Sequence, residues 1–154
     1  MYRVLTAVLL SAATAFSSEL PNRKYLDLDH IKIMVAAAEA KAKELNVSVT
    51  ICVVDESGNL LFLEKGATAS LNTIQFAQKK ARHAAFFGSP SKNGADTIKN
   101  GSVEALAYPN FFPNQGGLPI KVNSQLLGGM AASGAKSEID ESIAQAGIDA
   151  LGKQ

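Results

Sequence analysis

The chain has one cysteine, no tryptophan and almost no net charge, and each shortage removes a class of explanation. With Cys52 alone, an intrachain disulfide is impossible, and a secreted destination draws no support from cross-linking. Cys52 sits in the apolar run Val49–Val54, where a small buried hydrophobe is the ordinary role and a reactive thiol is not. One cysteine and two widely spaced histidines, His30 and His83, cannot build a usual zinc site without several carboxylates. The formal charge is +1 and no basic block occurs, which argues against a nucleic-acid partner. Clean apolar runs of about 18 residues are missing, so no membrane span is expected in the mature domain. Glycine-rich nucleotide cradles and the nucleophile elbow of serine hydrolases are also missing.

What remains is a chain for one domain: 154 residues, 47% hydrophobic and 19% charged. Its first 18 residues stand apart. Arg3, the apolar stretch Val4–Leu10 and the small-x-small triplet Ala13-Thr14-Ala15 read as a secretory signal peptide. This predicts a domain over residues 19–154 and a secreted or periplasmic location.

Along that domain, Asp27 or Asp29 is placed to cap a helix reaching about Leu45, with Ile31, Met34, Val35, Ala38, Ala42 and Leu45 as its buried stripe. Val47–Val54 is rich in β-branched residues, Asp55–Asn59 carries turn chemistry, and Leu60–Glu64 returns, which predicts a β-hairpin. Asp55 reads best as a cap of that turn. Ser70–Gly88 forms the longest amphipathic segment, ended by Gly88 and Pro90. Four alanines on its apolar face, Ala77, Ala81, Ala84 and Ala85, let it lie close to a sheet. Ser89–Gly101 reads as loop with at most a short helical turn, and Val103–Phe112 as a short strand or an aromatic loop. Leu118–Val122 and Gln125–Ala132 make a second hairpin. Ser137-x-x-Asp140 resembles a capping box opening a last helix to Leu151. Two hairpins among helices imply an α+β domain with one antiparallel sheet.

The candidate chemistry lies on the Ser70–Gly88 helix. Phe76, Lys80, His83 and Phe87 recur at spacings of three and four, mixing aromatic rings with an ammonium and an imidazole. A flat, acidic, aromatic ligand suits such a face, although a helix-flank histidine is ordinarily solvated or at the core edge. A second candidate is an anion site on the free N–H groups near Ser133, Gly134 and Ser137, with a plain helix cap as the simpler reading.

Three segments taken together resemble a known family. They are VVDESGNLLFLEKGATASL, FAQKKARHAAFFGSPS and GGLPIKVNSQLLGGMAASGAKSEIDESIAQAGIDAL. Their order and spacing over Leu28–Leu151 are similar to the GlcG/HbpS-like haem-binding family, related to the C-terminal domain of PduO-type corrinoid adenosyltransferases. The resemblance implies a profilin-like fold with a five-stranded antiparallel sheet, which would promote part of Val103–Asn114 to a strand. It also implies homo-oligomers, and haem binding, haem degradation or haem and redox sensing in some members. Others accompany glycolate or diol metabolism. This chain departs from the pattern at His83, where relatives carry small or hydroxyl residues, and at Ala131 and Ala132 in GMAASG.

The leading expectation is therefore a haem-binding protein. His83 is the first iron-ligand candidate, followed by His30, Tyr108 and Met130. Lys79, Lys80 and Arg82 would pair with propionates, between Phe76 and Phe87. The alternative is an enzyme or sensor for a small organic acid, using Asp55, Lys80 and the Ser133–Gly134 loop. A pure assembly protein is the third class.

Overall fold

The computed structural model describes residues 22–152; the signal-peptide reading of residues 1–18 lies outside them. Helix α1 spans Leu28–Glu44, and Asp27 caps it by accepting the His30 backbone N–H at 2.9 Å. The stripe Ile31, Met34, Val35, Ala38 and Ala42 is buried as the periodicity requires. Strands β1 (Thr50–Asp55) and β2 (Leu60–Lys65) form the first hairpin. In its turn Asp55 Oδ1 accepts the N–H groups of Ser57 and Asn59 at 2.9 and 2.8 Å. Burial raises the Asp55 pKa, but the bonds from Asn59, Ser57 and Gly58 outweigh it, and the net shift is downward. Asp55 is thus a turn cap.

Helix α2 spans Thr73–Phe87, starting three residues after Ser70 because Ser70–Asn72 form a preceding turn. Gly88 ends it in the left-handed conformation at φ 60°. A further helix, α3 (Lys92–Lys99), lies in the stretch read as loop with a short helical turn, and a 3-10 helix (Val103–Ala107) in the one read as a short strand or aromatic loop. Strands β3 (Gly117–Val122) and β4 (Gln125–Ser133) form the second hairpin, and α4 spans Ser137–Leu151. The capping box does not form. Lys136, not Ser137, stands at the N-cap and its ammonium cannot accept an N–H, while Asp140 divides its carboxylate between the Ala135 N–H and Lys80.

The sheet order is β2-β1-β4-β3, antiparallel throughout, so the described residues form a four-stranded sheet and not the five-stranded one implied. Val103–Phe112 cannot supply the fifth strand. Pro109 lacks a ladder donor, and Asn110, at φ 60°, leaves the extended region. The architecture is α+β in three layers. One face carries α1 and α4 over Ile51, Val53, Leu118, Ile120, Met130 and Ala132. The other carries α2 on a thin seam of Cys52, Val54, Ala77, Ala81, Ala85 and Ala131. The alanines do bring helix and sheet into close approach. A Cβ on Gly117 would lie 2.3 Å from the Lys80 carbonyl oxygen, and one on Gly129 2.2 Å from that of Ala81. Cys52 is fully buried there, and burial pushes its thiol up to about 12.

Candidate functional site

The expected face of α2 divides on folding. Phe76 and Phe87 remain about 38% exposed, while Lys80 and His83 are each 2% exposed. Lys80 leaves the face altogether. Its Nζ reaches Asp140 Oδ2 at 2.8 Å and the Ala132 carbonyl at 3.2 Å, tying α2 to α4. It is therefore no ligand cation: its charge is spent inside the protein. The Ser133–Gly134–Ser137 site is filled in the same way. Asp140 Oδ1 accepts the Ala135 N–H at 2.9 Å. Burial raises the Asp140 pKa, opposed by Lys80 and this backbone donor. The anion at this helix start is the chain's own.

His83 packs against Phe87 and Phe111, with ring centroids 4.7 and 5.2 Å away. Its Nδ1 accepts the Phe112 backbone N–H at 2.9 Å. Burial lowers its pKa to about 4, so the ring is neutral near pH 7. With Nδ1 as acceptor, the single hydrogen sits on Nε2. A metal at Nε2 would move that hydrogen to Nδ1, where it would face the Phe112 N–H donor. His83 is thus a poor iron ligand as folded, contrary to its first place in the sequence reading. Beside it, Lys79, Arg82, Asn110, Phe111 and Phe112 line a cleft of about 270 Å³. Phe112 stacks on Phe76 at 5.9 Å, and Lys79 Nζ lies 5.6 Å from the Phe112 ring centre.

The other ligand candidates scatter. Met130 is fully buried under α1 and α4, across the sheet from α2, where a Cβ on Gly147 would sit 2.6 Å from its sulfur. It has no route to a ligand without opening the core. Tyr108 is 52% exposed and meets Phe111 edge-on at 6.5 Å.

His30 has a different setting. Its Nδ1 lies 2.6 Å from Asp27 Oδ1. The backbone bond from His30, followed by its ring bond, lowers the Asp27 pKa, so this group is a carboxylate and can only accept. Nδ1 therefore carries the hydrogen, and in the neutral ring Nε2 keeps its lone pair. This carboxylate–imidazole pairing orients metal-binding histidines. His30 lines a cleft of about 460 Å³ with Lys24, Tyr25, Leu26, Asp27, Val122, Leu127 and Leu151. The lead-in segment is fastened there by Gln125 Nε2, which donates to the Lys24 carbonyl at 3.1 Å, and by Arg23 pairing with Glu56. Asp27 was legible only as a helix cap; the Asp-x-x-His spacing, three residues apart, was the available signal for its second role. A polar cleft of about 470 Å³ elsewhere is lined by Glu39, Glu64 and Lys43; the hydrogen bond from Glu64, with burial and its charge, raises the Glu39 pKa.

The molecule is a small α+β protein with a four-stranded antiparallel sheet among the described residues and two histidines, His83 buried and His30 exposed. The family model described as haem degrading protein HbpS-like matches residues 26–149, and the chain belongs to this family. It is 31% identical over 125 residues to an uncharacterized 15.0 kDa protein of Citrobacter freundii from the dhaT-dhaS intergenic region, covering 77% of this chain and 86% of that one. It is 30% identical over 100 residues to the Escherichia coli K12 protein GlcG, covering 65% of this chain and 75% of that one. Among solved structures, a PduOC:heme complex superposes with a TM-score of 0.76 at 26% identity, covering 82% of this chain and 95% of that chain. The crystal structure of HbpS superposes at 0.79 and 26% identity, covering 86% and 94%.

Proposed function

We propose that this protein binds haem in the cleft at the start of α1, with His30 as the iron ligand. The observation that carries the proposal is the 2.6 Å Asp27–His30 pairing at the mouth of a largely apolar cleft. The donor set fits the group. A neutral imidazole held by a carboxylate is a recognised iron ligand. Leu26, Val122, Leu127 and Leu151 offer apolar contact to a porphyrin face, and Lys24 offers a cation to a propionate. The haem-bound structural relative supports haem as the ligand class. Bound haem would supply redox-active iron; Asp27 holds the imidazole in one tautomer, the leucines and Val122 would offer apolar contact, and Lys24 would pair with a propionate. The leader-like residues 1–18 support placing this activity outside the cytoplasm.

The organic-acid alternative draws support from the GlcG relatives, but Lys80 is paired with Asp140 and Asp55 is held by its own turn, so those two groups do not carry it.

The test is a haemin titration of the full chain, read by the Soret band. Saturation at one haem per chain is expected. Asp27→Asn should weaken binding about 10–100-fold, the usual effect of removing such an orienting partner. His30→Ala should abolish the imidazole-type spectrum while His83→Ala preserves it. An unsaturable Soret change, or an intact spectrum in His30→Ala, would overturn the assignment.

A further inference from the structure

The cleft beside α2 is separate from the one at His30 and is built differently. We infer that it is a second ligand site, for a flat aromatic anion held by stacking and charge without metal contact, and that His83 positions its wall. Two observations carry the ligand class. The lining joins two cations, Lys79 and Arg82, to the rings of Phe111 and Phe112, which gives charge complementarity to an anion and a π face to an aromatic one. Arg82 is fixed there by its Nε bond to the Gly58 carbonyl at 3.1 Å. At about 270 Å³ the cleft lies just under the ordinary range for small-molecule sites, roughly 300–1,000 Å³. A two-ring aromatic fits such a space, with the exposed edge of Phe76 extending the stacking surface.

The positioning role follows from how the wall is held. Phe111 and Phe112 belong to an irregular segment, outside every strand, so no ladder bonds fix them. The bond from Phe112 N–H to His83 Nδ1 ties that segment to α2, and the ring fills the space behind Phe111. Gly94 of α3 completes the fit: a Cβ there would meet His83 Cε1 at 2.9 Å and Phe111 Cζ at 3.2 Å. His83 is buried, neutral and accepting, which suits a pin and not a group that meets ligand.

The experiment uses the full chain and two probes. One is 2-naphthalenesulfonate, a flat two-ring anion; the other is 2-naphthylamine, a two-ring counterpart uncharged near pH 7, and both are read by their own fluorescence. The anion should saturate at one site, and Lys79→Glu, which removes a cation and puts a carboxylate in its place, should weaken it by about tenfold or more while leaving the amine unchanged. His83→Asn places an amide oxygen where Nδ1 stood and should retain both binding and slow hydrogen exchange at the Phe112 amide. His83→Ala should lose both. His30→Ala should alter neither, which separates this site from the haem reading. Anion binding indifferent to Lys79→Glu would overturn the ligand class. Equal behaviour of His83→Asn and His83→Ala would overturn the pin.

Discussion

The buried pair Lys80–Asp140 gives the sharpest prediction about stability. Both side chains are 3% exposed, and the Nζ–Oδ2 distance is 2.8 Å. Lys80→Met leaves the Asp140 carboxylate with backbone donors alone. Asp140→Asn keeps an oxygen for the Ala135 N–H but strands the ammonium. Breaking a buried pair on one side costs about 3–5 kcal/mol, chiefly because the remaining charge is uncompensated. The double variant strands no charge, so it should be more stable than either single change. Urea unfolding followed by circular dichroism measures this directly. With a slope of about 2 kcal/mol/M, a loss of about 4 kcal/mol lowers the midpoint by about 2 M. Single-variant losses under about 1 kcal/mol, or a double variant that merely sums the singles, would refute the reasoning.

Other outcomes follow from the same packing. Because burial lowers the His83 pKa from 6.5 to about 4, the unfolded chain binds more protons between those values. Its stabilisation is therefore complete above pH 6.5 and is lost as pH falls toward 4, by roughly 3 kcal/mol. The difference between wild type and His83→Asn isolates this contribution from Asp140, whose raised pKa acts in the opposite direction. Gly129→Ala should cost about 3 kcal/mol or more, read as a lower urea midpoint, since its Cβ would lie 2.2 Å from the Ala81 carbonyl oxygen. Cys52, fully buried with its thiol pushed up to about 12, should resist iodoacetamide in the folded protein and react at the rate of unfolding; native-state alkylation measured by mass would contradict this.

Periodicity carried both hairpins, α1 and the alanine face of α2, because these depend on local alternation and on turn residues such as Asp55, Gly58 and Gly88. The α3 helix carried only a short signal: Gly94, Ala95 and Ile98 recur at helical spacing among polar residues, enough for the short helical turn read there but not for all eight residues. The fifth strand came from resemblance, and Pro109 with Asn110 opposed it locally. Site charges were the least legible. Lys80 and Asp140 stand 60 residues apart, and nothing in either neighbourhood shows that they meet. The roles of His83 and His30 were likewise fixed by what touches Nδ1, a Phe112 N–H in one case and an Asp27 carboxylate in the other. The second contact lay within reach of sequence spacing, but its cleft, assembled from residues as distant as Leu26 and Leu151, did not.

The most direct test of the account is to locate the porphyrin on the protein. Gallium protoporphyrin IX, a diamagnetic stand-in for ferric haem, can be titrated into ¹⁵N-labelled chain and followed by amide chemical shifts. Perturbations gathered at Lys24–His30, Val122, Leu127 and Leu151, and lost in His30→Ala, are the predicted result. Perturbations centred on α2 and Phe111–Phe112, or spread over the surface without saturation, would contradict it.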